Sequence, residues 1–194
     1  MKIGLRQSYA AEKGVGLIEV LVTILVVAIA LLGTMGLHAK TLQAQFEAYQ
    51  RIQALALLDD MVNRLRANKA AAACYNVASV GTGDDAANYT CDIAGSIALG
   101  TTAIRDIQQW AALLQGAAET KQIGADKVGA MIDARGCISG SSDNTQFTIS
   151  VAWQAETDSV VPSNTCGQGK YTADTKRRVL SATVRFSNLS DKTL

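Results

Sequence analysis

The stretch Gly14-Val15-Gly16-Leu17-Ile18-Glu19, with the apolar run that follows it to Leu37, decides how the rest of the chain is read. From Val20 to Leu37 the only polar residues are Thr23 and Thr34. As a helix these eighteen residues span about 27 Å, close to a hydrocarbon core of about 30 Å. Such a segment must be helical in lipid, because nothing there can satisfy an open backbone. Lys2, Arg6 and Lys13 precede it against one acid, Glu12. The positive-inside bias therefore puts the N-terminus in the cytoplasm and the rest outside. A secretory signal would be cut after its apolar region. This run is long for a signal and continues unbroken into an amphipathic pattern, with no Pro or Gly between Leu37 and Gly81. It is read as a retained anchor.

Glu19 is the anomaly. A carboxylate at the bilayer centre costs on the order of 2.5–3.5 kcal/mol on insertion scales, and less near an interface. At an interface the carboxylate would simply reach water. Inside an assembly it would pair with a cation of another subunit. Cleavage after Gly14 would create such a cation, the α-amino group of Val15. Within one helix amine and carboxylate are held apart along the axis, but a staggered neighbour brings them together.

These residues resemble the class III leader of type IV pilins and pseudopilins: a short basic leader, Gly14, then Val-Gly-Leu-Ile and the acid Glu19. The resemblance implies a prepilin peptidase cutting between Gly14 and Val15, methylation of Val15, and a role for Glu19 in ordering the subunit within a filament. The family's usual first mature residue is Phe, where this chain has Val15. The expected organisation is a leader over 1–14, a membrane and filament-core half-helix over 15–37, an amphipathic half-helix over 38–73, and a globular domain over 74–194.

The amphipathic half carries one apolar stripe: Leu42, Phe46, Tyr49, Ile52, Leu55, Leu58, Val62 and Leu65 recur every three or four residues. That stripe is expected to lie on a sheet. Gly33 and Gly36 cost roughly 1 kcal/mol each against Ala inside a helix. Major pilins carry a helix-breaking Pro near the position of Gly36, and the resemblance implies that the helix loosens there on entering a filament; close packing of small residues is the alternative. Further on, Asp60, Met61, Arg64, Arg66 and Asn68 resemble a run in the PilV group of minor pilins. Asp60 and Arg64 also form an i, i+4 pair, and a solvated helix stripe plus a helix-to-sheet clasp would explain these charges as well as a family role would.

Cys74, Cys91, Cys137 and Cys166 allow three connectivities. None forms a C-x-x-C pair, and with a single His in the chain a zinc site is not expected. Outside the cytoplasm disulfides are expected. Nearest neighbours are favoured, Cys74 with Cys91 and Cys137 with Cys166. The second would resemble the C-terminal disulfide loop of pilins.

Residues 102–115 predict a short helix with Thr102 as cap and Trp110 as core anchor. Lys127–Ile132 is a weak strand. Phe147, Ile149, Val151 and Trp153 alternate cleanly, as do Leu180, Ala182, Val184 and Phe186. Gly136 reads as punctuation. The fold class is therefore α+β, one long N-terminal helix laid on a small C-terminal antiparallel sheet.

A formal net charge of +1 leaves no nucleic-acid footprint. Asp84 and Asp85 have no evident partner, His38 sits at the membrane boundary, and the serines from Ser139 to Ser142 have no base beside them. No nucleophile elbow or phosphate loop is present. The expectation is a non-enzymatic subunit with no cofactor and no metal. By resemblance it is a minor pilin, held in the inner membrane and then extracted into a pilus. Its partners would be the prepilin peptidase, other minor pilins, the major pilin and a tip adhesin. A minor pseudopilin of type II secretion shares the leader, and a periplasmic binding domain tethered by the span is the reading from another class.

Overall fold

The computed structural model describes residues 14, 16–84, 86–91, 97–117 and 131–187. The chain divides between Gln45 and Phe46 into two compact units. Helix α1, Leu17–Ala67, contributes residues to both. The leader before Gly14, Val15 and Asp85 lie outside the described residues.

In the first unit α1 is apolar and exposed: Leu17, Ile24, Ile29, Leu32 and Leu37 are all more than half exposed. Thr23, Thr34 and Thr41 turn their hydroxyls back, donating to Val20 O, Leu31 O and Leu37 O at 2.8–2.9 Å. Each hydroxyl is thereby satisfied within the helix, as lipid demands. The helix is long and apolar enough to cross a membrane, with a mean hydropathy of 2.7 over its most apolar stretch. It runs through Gly33 and Gly36, and a Cβ added at either would meet nothing within 4 Å.

The second unit is built on a four-stranded antiparallel sheet in the order β1 (Val77–Gly81), β2 (Arg135–Gly140), β3 (Gln146–Gln154) and β4 (Arg177–Arg185). Alternation turns Ile138, Phe147, Ile149, Val151, Trp153 and Val184 inward. Register sets Ile138 opposite Ile149, and Phe147 opposite Val184. Helix α2, Ile97–Leu114, adds Ala103, Ile107, Trp110 and Leu114 to the same core. From α1 come Ala54, Leu58, Met61, Val62 and Leu65. Each large side chain so buried contributes about 1.5–3 kcal/mol relative to exposure.

Several expectations change. The apolar stripe does not lie on the sheet along its whole length. Phe46, Tyr49, Ile52 and Leu55 stay 47–66 % exposed, while Gln50 and Ala54 turn inward. Burial along α1 begins at Gln50 and continues through Ala54, Leu58, Met61, Val62 and Leu65, so the side of the helix that carries these residues, and not the whole stripe, meets the core. The α-helix ends at Ala67 instead of continuing to 73. Asn68 leaves helical backbone angles, and the chain proceeds as a 3₁₀ segment, Lys69–Tyr75. Helix α2 starts at Ile97, and Thr102 is interior, donating to Ala98 O at 3.0 Å instead of capping. Of the Lys127–Ile132 strand, residues 127–130 lie outside the described residues, and Met131 and Ile132 are not strand.

Gly136 is not punctuation. It sits inside β2, opposite Val80 and Val151. A Cβ there would come within 2.3 Å of the Trp110 ring and 2.8 Å of Leu114. The missing side chain is the space that the indole fills. Gly136→Val is expected to cost about 1–3 kcal/mol or more of unfolding free energy by overpacking. Denaturant melts of the purified chain check this, and an unchanged midpoint would refute the wedge.

Candidate functional site

The first site residues lie at the start of α1. Gly16 O accepts from the backbone N–H of Glu19 at 2.9 Å and of Val20 at 3.3 Å, which opens the helix. Glu19 stands in the first turn and is exposed. There the helix dipole favours a carboxylate, by about 0.3–1 kcal/mol on an exposed surface.

The run from Asp60 to Asn68 is a clasp. Arg64 Nε donates to Asp60 Oδ2 at 2.9 Å, one turn back on α1. Its Nη1 donates across to Asp106 Oδ1 at 3.1 Å and Gln109 Oε1 at 2.6 Å, both on α2. The other oxygen of Asp106 accepts from the Tyr75 hydroxyl. The Asn68 amide donates to Tyr75 Oη and to Leu99 O, each at 3.2 Å. Met61 is fully buried in the core beside this network, and Arg66 is exposed outside it. Three of the five motif residues, Asp60, Arg64 and Asn68, therefore join α1 to α2 and the 3₁₀ segment. Burial works against the Arg64 charge, but Asp60 and Asp106 outweigh it and hold its proton more tightly than usual. Burial, and then the bond to Asp106, push the Tyr75 hydroxyl well above its ordinary range. Asp106, Gln109 and Tyr75 escaped the sequence reading. The one trace of them is that Asp106 and Gln109 stand a turn apart, beside the inward residues Ile107 and Trp110.

Two disulfides tie the loops. Cys74 joins Cys91 with Cα atoms 5.6 Å apart, and Cys137 joins Cys166 at 5.8 Å. The second holds the loop after β3 over the outer face of the sheet. That loop is braced from within by Arg177, which is fully buried. Its guanidinium donates to Pro162 O at 3.2 Å, Cys166 O at 3.0 Å, Asn164 O and the Asp174 carboxylate. Asn164 in turn donates to Ser150 Oγ and Ser181 Oγ at 2.9 and 3.0 Å. Beside it lies an open groove of about 680 Å³ lined by uncharged groups, among them Asn76, Ser139, Thr148 and Thr165.

Asp84 is not partnerless. It accepts from Ser79 Oγ and Arg135 Nη1, each at 2.6 Å, while Arg135 Nη2 donates to Asp133 at 3.2 Å. Ser141 closes the β2–β3 turn with Asp143, which also accepts from Thr145. His38 is an exposed residue of α1.

The Ser79 hydrogen bond, and then Arg135, hold the Asp84 carboxyl below its ordinary range, against a partial desolvation. A folded-state pKa below the unfolded value of about 3.9 stabilises above that pH, and the gain is lost as pH falls through the folded value. The melting temperature should therefore drop below about pH 4, and Asp84→Asn should flatten part of that drop. Asp143 and Asp174 are lowered too, so a residual slope remains. For the clasp, Arg64→Ala is expected to cost about 1–3 kcal/mol because it strips a charged partner from Asp106. Asp60→Asn should cost under about 1 kcal/mol. Urea melts that reversed this order would remove Arg64 from the centre of the network.

Over residues 36–106 the chain matches a family model described as Tt1218-like, type IV pilin Tt1218. The matched region runs from Gly36 in α1 through the 3₁₀ segment and β1 to Asp106 in α2, so it contains the whole clasp run from Asp60 to Asn68. Gly14–Glu19 and β2–β4 lie outside it. No curated protein and no solved structure matches the chain. Over residues 36–106 the chain is similar to type IV pilins, and one long N-terminal helix packed with a small antiparallel sheet is consistent with a pilin-like fold.

Proposed function

We propose that this chain is a minor pilin of a type IV pilus, of the PilV kind, that helps to prime pilus assembly in a minor-pilin complex at or near the tip. The observation that carries the reading is the length of α1 that its own fold leaves uncovered. Every large apolar residue from Leu17 to Leu37 is exposed, and so are Phe46, Tyr49, Ile52 and Leu55. Contiguous apolar surface of that extent calls for lipid or another helix. The match to a type IV pilin family over residues 36–106 supports the same reading.

On this reading the prepilin peptidase cuts after Gly14, and Val15 becomes the methylated N-terminus. Before assembly the inner membrane covers Leu17–Leu37, with the N-terminus cytoplasmic and the globular unit periplasmic. In the filament, helices of the major pilin and other minor pilins replace lipid, and Glu19 neutralises a neighbouring α-amino group. The charge of Glu19 stays tolerable in both states only if it is near water or paired. The work done is packing, not catalysis, and the disulfide-held loop offers a surface for neighbouring subunits or a tip adhesin.

Intact mass and N-terminal analysis of the membrane-extracted protein test this. In cells with prepilin peptidase the chain should begin at Val15 and carry one extra methyl. In cells without it the chain should begin at Met1. A leader retained in both, or a cut after Leu37, overturns the proposal. Glu19→Ala should lower incorporation into sheared pili by about tenfold or more, the loss expected of a desolvated charge pair. Deletion should reduce surface pili and twitching. A defect in secretion instead would assign the chain to type II secretion.

A further inference from the structure

The sheet treats its two edges differently. Strand β1 is five residues long, and its pairing with β2 shifts between Val77 and Val80. Strand β4, at the other edge, pairs with β3 residue for residue from Arg177 to Arg185, without a bulge. Two bonds fix the phase of that ladder: Phe186 N–H donates to Thr145 O, and Ala155 N–H to Lys176 O. Antiparallel bonding alternates, so the even-numbered residues of β4 bond to β3. The N–H and C=O groups of Val179, Ser181, Thr183 and Arg185 therefore point away from the sheet. Among the described residues these groups have no hydrogen-bond partner within the chain. Natural edges are blunted by Lys, Pro or a bulge, and the segment from Val179 to Arg185 has none of them.

We propose that β4 is a docking edge for an extended segment of a different polypeptide, β-branched or hydroxyl-bearing in its middle and acidic at both ends. Main-chain hydrogen bonds to the outward groups of β4 would give the affinity. Charge at the two ends would give the selectivity. Arg178 donates only to neutral acceptors, Ser159 Oγ, Thr157 O, Thr157 Oγ1 and Thr175 O. Arg185 donates only to Gln146 Oε1. Among the described residues neither forms an ion pair, and the two stand at opposite ends of the edge, Arg178 on the inward side of the sheet and Arg185 on the outward side. A second copy is a poor occupant, because its own β4 holds no Asp or Glu from Arg177 to Arg185 to meet these cations. The inference rests on the sheet alone and stands apart from the assembly role proposed above.

The test is deuterium exchange of the full-length protein in detergent micelles, read at the amides of β4. The probe is a synthetic peptide, Glu-Val-Thr-Val-Thr-Val-Thr-Glu, whose eight residues would lie opposite Arg185 to Arg178 with the first Glu on the face of Arg185 and the last on the face of Arg178, and the comparison is the same peptide with Lys at both ends. The acid-ended peptide should slow exchange at Val179, Ser181, Thr183 and Arg185, and the Lys-ended one should bind at least about fivefold more weakly. Thr183→Pro removes one outward N–H and leaves the β3 ladder intact. It should abolish the slowing while the melting temperature holds. Should that variant fail to fold, Arg185→Glu decides, because it should reverse the preference between the two peptides. No slowing, equal slowing by both peptides, or amides already protected in the free chain would each overturn the proposal. In the last case the edge is covered by the chain itself or by a second copy.

Discussion

Trp110 is the contact on which the globular unit depends. Its side chain is fully buried, its ring lies on Gly136 of β2, and its indole N–H donates to Leu57 O of α1 at 2.9 Å. One residue of α2 thus joins the long helix to the sheet. The geometry is restrictive on both sides. The ring needs a strand position with no side chain, and the N–H needs a helix carbonyl within reach. Once both are met, Ile107 and Leu114, on the same face of α2, complete the core.

Buried or half-buried arginines do the corresponding work for the polar parts. Arg64 binds α1 to α2 through Asp106, Arg135 holds the loop after β1 through Asp84, and Arg177 gathers the carbonyls of the disulfide loop. A guanidinium suits each task because it presents several donors in one plane. In each case a carboxylate lies alongside, so no positive charge is left bare in a low-dielectric setting. These clusters are the polar counterpart of the Trp110 wedge. They fix loops and helix ends that a small apolar core does not reach.

The long helix serves two environments. From Ala54 to Leu65 its buried residues belong to the core of the globular unit. Before that, among the described residues, its large apolar side chains are exposed. A helix that completed its own burial would have nothing left to offer lipid or a neighbour. On the proposed reading, that uncovered surface is what the subunit offers first to lipid and then to its neighbours. The inward turn of Gln50, beside outward Tyr49 and Ile52, shows that α1 does not place every apolar residue against its own sheet.

Much of the architecture is local and was legible in order along the chain. The unbroken apolar run, the helical period from Leu42 to Leu65 and the strict alternation in β3 and β4 are properties of neighbouring residues. They specify one long helix and two strands whatever lies opposite. The tertiary structure alone decided the rest. Gly136 reads as a turn until the Trp110 ring lies against it. Asp106 and Tyr75 are ordinary polar residues until Arg64 and Asn68 reach them from another helix. The outward face of Phe46 to Leu55 carries the same period as the inward one and cannot be told from it by spacing. The physical reason is common to all three. Periodicity records which residues share a side of an element, whereas burial, pairing and close approach depend on which distant element comes to lie against that side.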